Sequence, residues 1–341
     1  MLLEIDDKFK PAFSVMTTSI QKQKMSRRQA VARTGVLVGA AIVGGRQTVV
    51  AAAPRPASPV AGGAFVYCLN TATIRGQKLG IVKEIEVTAR AGYQAIEPWI
   101  AAIETYKKEG GSLPDLKRRI ADLGLTVEGA IGFPQWIVDD DAKRAQGLER
   151  ARLEMDLVAQ IGGKRLAAPP SGATDLPRLD LLKAAERYRA LLDAGDQIGV
   201  VPQLEIWGFS KNLNRLGECA CVAIEAGHPK ACVLPDIYHI YRSGSDSSGL
   251  RLLSRHAIQV LHMNDYPADP PREKLDDSHR VYPGDGVAPV TDILRTMLDK
   301  GGQTVLSLEL FHRKYWEMDA LEVARAGLEK MKSAVAKVLD R

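Results

Sequence analysis

The sequence is short of several things that would have decided its class early. It has four cysteines (Cys68, Cys219, Cys221 and Cys232) in 341 residues, with no C-x-x-C pair and no metal-finger spacing, which excludes a zinc finger. Three of them fall in apolar or helical surroundings, where a free thiol behaves as a small core residue. No G-x-G-x-x-G turn follows the first β-rich run. The segment there reads "CLNTATIRG", so the phosphate-binding turn of a dinucleotide fold is missing. No apolar stretch reaches the length of a stable spanning helix; the best candidate, "AVARTGVLVGAAIVGG" from Ala30, is short and glycine-rich. Repeats at solenoid periods and internal low-complexity linkers are absent as well.

What is present is a 45% hydrophobic composition, enough for one large globular domain or two ordinary ones. The formal charge of +5 is a local matter. Residues 1–53 hold eight basic side chains against three acidic ones, which accounts for all of it and leaves the remaining 288 residues balanced. A balanced body argues against a DNA or RNA partner. The same 53 residues run from Ser26-Arg27-Arg28-Gln29 through the weakly apolar segment to "VVAAAP", a small-residue cleavage pattern ending near Ala53. This is the layout of an export signal, and the arginine pair resembles a twin-arginine signal, so a periplasmic destination is expected. The alternative is a disordered leader of a cytoplasmic protein or an over-extended start, with Met16 and Met25 as the true starts. Residues 54–63 read as a linker and 64–341 as the catalytic domain.

From residue 64 short β-rich runs alternate with helical patterns. The strands expected are "AFVYCLN", "YQAIEPW", "TVEGAIG", "KRLAAPP", "VVPQLEIWG", "ACVLPD", "AIQVLHMND" and "QTVLSLELF". The helices expected cover 78–92, 113–124, 142–161, a stretch before Gly199, 212–226, 287–300 and 319–338. Eight such units over 278 residues suit an α/β fold, a single-domain (β/α)8 TIM barrel, whose usual size is about 250 residues.

A barrel carries its chemistry at the C-terminal ends of its strands. Glu97, Glu205, Asp236, His262 and Glu309 each stand at the tip of a run otherwise fit for burial. Three carboxylates and one imidazole (Glu205, Asp236, His262, Glu309) form a hard, oxygen-rich set that suits a divalent ion: Mn2+ first, with Mg2+, Co2+ or Zn2+ as alternatives. Carboxylates meeting at one point repel strongly without a cation. A carboxylate network satisfied by Arg and Lys is the competing arrangement, and few basic residues are expected near these tips.

Taken together, "LEIWG", "DIYH", "HMND", "R-x-x-P-G-D-G" at 280–286 and "SLELF" resemble the xylose isomerase-like TIM-barrel sugar isomerases and epimerases over residues 64 to about 338. That resemblance implies metal binding by Glu205, Asp236, His262 and Glu309, with the two glutamates also moving protons. It implies that His239 bonds a substrate hydroxyl and that Arg280 contacts substrate. Trp207 departs from the family pattern, and so does the eighteen-residue interval between His262 and Arg280. Its insert, "YPADPPREKLDD", is expected to form a lid or a contact with a second copy of the chain.

Such a set can take a proton from carbon beside a carbonyl and return it, giving a sugar isomerase or epimerase; loss of a β-hydroxyl instead gives a dehydratase or lyase. The substrate expected is a small carbohydrate. Glu97, Trp99 and Trp207 are further candidates to touch it. Arg75 reads either as a contact for an acidic substrate group or as a solvated loop residue. An endonuclease IV-like nuclease needs three ions and more well-placed histidines than the six here supply, and a non-catalytic sugar-binding barrel does not need all four ligands.

Overall fold

The computed structural model describes residues 63–340. The expected leader over 1–53 and nearly all of the 54–63 linker lie outside them.

Eight strands appear where the β-rich runs place them: β1 Phe65–Asn70, β2 Ala95–Glu97, β3 Thr126–Val127, β4 Arg165–Ala168, β5 Val201–Glu205, β6 Val233–Leu234, β7 Val260–Met263 and β8 Thr304–Leu308. Every pairing is parallel, in the orders β3-β2-β1-β8-β7 and β4-β5-β6. Two seams close the ring. Ala130 N donates to Arg165 O at 3.0 Å and Ala167 N to Ala130 O at 2.9 Å, beside β3 and β4; His262 N donates to Pro235 O at 2.9 Å between β6 and β7. Burial on both faces explains why the strands read as continuous apolar runs, β8 being buried at all five positions.

The α-helices are α1 Ile81–Ala91, α2 Ile100–Lys108, α3 Leu113–Asp122, α4 Asp141–Gln160, α5 Leu181–Ile198, α6 Leu216–Glu225, α7 Ile237–Arg242, α8 Val290–Asp299, α9 Arg313–Trp316 and α10 Ala320–Leu339, the longer of them following the 3.6-residue pattern and its punctuation. Ser112, Asp140, Asp180 and Asp319 cap α3, α4, α5 and α10 through their side chains. The helices α2, α7 and α9 are additions to the expected set. They are short and begin within five residues of a strand tip, and into α2 and α7 the apolar pattern of the strand runs on. The cap of α7 is Asp236, whose Oδ1 accepts from His239 N at 2.7 Å.

Strand periodicity builds the interior in layers. Cys68, Ala95, Ala167, Leu234, Val260 and Val305 pack together as an apolar layer inside the barrel. Two residues further along their strands, on the same inward face, stand Asn70, Glu97, Asp236, His262 and Ser307. An oily floor thus carries a polar layer near the C-terminal mouth.

The loop from β7 to α8 is tied down by Asp265. Its Oδ1 accepts from the backbone N–H of Tyr266 and Ala288, both at 2.8 Å. Its Oδ2 accepts from Gly284 at 2.9 Å and Gly286 at 3.1 Å. A Cβ on Gly286 would collide with Tyr266 O, which requires glycine there. This anchor holds the P-G-D-G turn and, with it, Arg280. Asp265→Ala leaves four backbone donors, one buried and three partly buried, without their acceptor, and we expect a loss of about 2 kcal/mol in denaturant unfolding. A variant as stable as the wild type would contradict the anchoring role.

Candidate metal centre

Glu97 closes β2 and is buried. Its Oε2 takes three donors: Asn70 Nδ2 at 3.0 Å, Ser307 Oγ at 2.7 Å and His262 Nε2 at 3.0 Å. The pairing of Asn70 with Glu97 across β1 and β2, and of Ser307 with His262 across β8 and β7, sets these contacts. With Nε2 donating to Glu97, the Nδ1 atom of His262 is turned toward the centre of the barrel. There it faces Glu309 Oε2 at 3.3 Å, Glu205 Oε1 at 3.6 Å and Asp236 Oδ2 at 3.8 Å. A carboxylate behind an imidazole is the usual way of fixing the tautomer of a metal-binding histidine.

One ligand atom each from Glu205, His262 and Glu309 lies within 4.8 Å of the others, and all three residues are buried. His262 Nδ1 and Glu205 Oε2 are buried without a hydrogen-bond partner. Unpaired polar atoms at such depth are rare, and a cation is the partner this donor set fits. Asp236 borders the group without joining that close set. Its Oδ2 is already held by Asn264 Nδ2 and by Arg280 Nη1, each at 2.9 Å.

Arg280 corrects the expectation that basic groups are scarce here. Its side chain is 1% exposed, and Nη1 bridges Asp236 Oδ2 at 2.9 Å and Glu309 Oε2 at 2.8 Å. The carboxylates are therefore partly neutralised from within the protein. Nη2 donates to Asp277 Oδ1 at 2.6 Å and to His239 Nε2 at 2.9 Å. A guanidinium only donates, so Nε2 of His239 accepts and the ring hydrogen sits on Nδ1. That Nδ1 is buried without a partner. Burial, followed by the Arg280 charge, pushes His239 down to about 3, so the imidazole is neutral at ordinary pH.

The two glutamates are driven apart. Burial drives the Glu205 carboxyl up to about 8, opposed by His262 and helped by Glu309 and Asp236. For Glu309 burial works in the same direction, but His262 and Arg280 outweigh it and bring the carboxyl down to about 2. Burial also disfavours charge on His262, yet Glu309 and Glu97 hold that imidazole well above its usual range.

A cavity of about 400 Å³ opens above this floor, bordered by Glu205, His239, Arg280 and Glu309 below and by Trp99, Trp207 and other aromatics around it. Trp99 Nε1 donates to Asn70 Oδ1 at 3.1 Å. Arg75 is exposed, and its guanidinium lies 4.5 Å from the Trp99 ring centre and borders the cavity. The end of the proline-rich insert also reaches this space, through Asp276 and Asp277. Glu97, a candidate substrate contact by sequence, stands behind His262 and does not border the cavity. Asn70, Asn264, Asp265 and Ser307 were passed over by sequence reasoning. "HMND" placed two of them beside His262, whereas nothing in "CLN" or "LSLEL" marked Asn70 or Ser307.

Ion binding here displaces protons, because the ligands must give up the ones they hold. Glu205, raised to about 8, stabilises the fold through its proton at low pH, and that contribution is lost as pH rises through its folded value; a dication supplies the missing charge there. Affinity for Mn2+ should therefore rise from about pH 6 to about pH 8, with release of about two protons per ion near neutrality. Calorimetry in two buffers of different ionisation enthalpy measures this, and a pH-independent affinity would contradict the site. Glu97→Gln should weaken ion binding by about 10–100-fold while leaving the fold intact.

The sequence matches the profile of the xylose isomerase-like TIM barrel over residues 85–334. An inosose isomerase of Bacillus licheniformis is 24% identical over 281 residues, covering 79% of this chain and 98% of its own. A 3-dehydroshikimate dehydratase of Pseudomonas putida is 22% identical over 251 residues, covering 73% of this chain but only 39% of its own. Among solved structures, an IOLI protein with a bound zinc atom superposes with a TM-score of 0.74 at 21% identity, covering 80% of this chain and 99% of that one. An L-ribulose 3-epimerase gives 0.64 at 19% identity, covering 81% and 96%. The expected resemblance is borne out, and the chain belongs to the xylose isomerase-like TIM-barrel family.

Proposed function

We propose that the protein is a divalent-metal-dependent sugar isomerase or epimerase that moves a proton on the carbon beside a carbonyl. The observation that carries this is the meeting of Glu205, His262 and Glu309 at and just beneath the cavity floor, with two buried ligand atoms left unpaired. These three residues and Asp236 would hold the ion, with Mn2+ favoured; the zinc seen in the IOLI structure makes Zn2+ a second candidate. When bound, the ion stabilises the negative charge that develops on the carbonyl oxygen as the carbon loses its proton.

The chain's own groups then divide the proton work. Without the ion Glu309 is ionised and Glu205 holds a proton; Glu309 therefore suits the base that takes the proton from carbon, and Glu205, the more readily protonated of the two, suits the group that returns one. His239 offers an Nδ1–H with no partner in the protein, fit for a substrate oxygen. Arg280 holds His239, Asp236 and Glu309 in one network and so fixes their positions. Trp99 and Trp207 wall the cavity with ring faces on which the C–H edges of a sugar can lie. They also exclude water from the reacting carbon.

A dehydratase is the second reading. It is favoured by the named 3-dehydroshikimate dehydratases among the relatives and by the same His239 donor, which suits a departing hydroxyl. Among the described residues no helix is long and apolar enough to cross a membrane. The proposal retains export through residues 1–53, which makes the substrate an unphosphorylated carbohydrate; an intact N-terminus in soluble cytosol would overturn that part.

Incubation of the Mn2+-loaded enzyme with free keto sugars in deuterated water, followed by NMR, reports the exchanging carbon and the product together. Metal-dependent exchange is expected. It should fall by at least about 100-fold in Glu205→Gln and in Glu309→Gln. Exchange that survives in both variants, or proceeds equally with a chelator, would sink the mechanism.

A further inference from the structure

Tryptophan and phenylalanine together number ten in the whole chain, and six of them border this one cavity: Trp99, Phe133, Trp207, Phe209, Phe311 and Trp316. They come from loops that follow four different strands, so no single amphipathic element brings them together. Trp136 and Phe65, by contrast, are ordinary core residues, 2% and 6% exposed.

The collar has an inner and an outer part. Trp99 is bonded to Asn70 at the floor. From it the rings run outward through Phe133, 5.2 Å away edge-on, to Trp207 at 5.8 Å, and then to Phe209, which stacks on Trp207 at 5.3 Å and 26°. Phe209 also lies 5.6 Å from His239. Phe133 and Phe209 are 40% and 45% exposed. Gly208 permits this placement: a Cβ there would collide with His239 O, so only glycine lets the Trp207–Phe209 segment lie against α7. Large apolar faces held open to solvent beside a polar floor mark a ligand surface. A cavity of about 400 Å³ is also within the ~300–1,000 Å³ range of sites for drug-sized ligands.

We propose that the substrate carries a second ring beyond the sugar that reacts, either another sugar or an aryl group, and that Phe133, Trp207 and Phe209 form its seat. This rests on the reading of the floor as a carbohydrate site and adds the class of molecule it takes. A flat aryl face and the C–H face of a pyranose present the same apolar surface to an aromatic ring, which is the chemistry recognised.

Calorimetry on the full-length Mn2+-loaded protein tests this with two pairs of probes. The first sets D-fructose against the glucosyl-fructoses turanose and palatinose, which keep the keto group free. The second sets methyl against phenyl β-D-glucopyranoside. The ring-bearing member of at least one pair should bind about tenfold tighter or better, and which pair responds identifies the second ring as sugar or aryl. Phe133→Ala and Phe209→Ala, both at exposed positions and checked for an unchanged melting temperature, should weaken the ring-bearing probe by at least about fivefold more than its small counterpart. Equal affinity within both pairs, or equal losses in the variants, would overturn the proposal. Failure of the metal-dependent deuterium exchange would instead count against the catalytic reading, so the two fail separately.

Discussion

Everything at the mouth of this barrel depends on one buried hydrogen bond, between Glu97 and the Nε2 atom of His262. It turns the other ring nitrogen toward Glu205, Asp236 and Glu309 and leaves it without a protein partner. The bond is itself over-determined, since Asn70 and Ser307 donate to the same Glu97 oxygen. Asn70 reaches on to Glu309 Oε1 at 3.1 Å. A ligand held through its neighbours in this way keeps its direction whether its ionic partner is an ion or a proton.

The electrostatics follow from packing several acids into a dry space. Arg280 is the protein's internal answer, and it serves Asp236 and Glu309 together. It does not reach Glu205, which burial leaves with its proton up to about pH 8. The result is an asymmetric pair of glutamates produced by the position of one guanidinium. The same residue dictates the tautomer of His239. The loop between β7 and α8, anchored by Asp265, therefore sets the chemistry of groups that follow two other strands, β6 and β8.

Much of this was legible in the chain. The alternation of short β-rich runs with helical patterns, and the recurrence of acidic or histidine residues at the ends of those runs, led to the barrel and to Glu205, Asp236, His262 and Glu309. The family resemblance added His239 and Arg280. The helices α2 and α7 were not visible, because their apolar openings continue the strand pattern with little break. Glu97 was recognised as a strand-tip residue but assigned to the substrate, since nothing in "AIEPW" says whether a carboxylate faces the cavity or the back of an imidazole. Arg280 was recognised too, though as a contact for substrate and not as the bridge between two acids.

What the sequence determined by itself was the set of residues and the end of the barrel where they stand, because both follow from local periodicity and strand order. What only the tertiary structure decided was which atom of each residue meets which: the direction of the His262 ring, the pairing of Arg280, and the gathering of six scattered aromatic side chains around one opening. Those are contacts between residues far apart in the chain, 165 positions for Glu97 and His262, and they depend on the register of closed strands and the course of long loops, to which no short stretch of sequence responds.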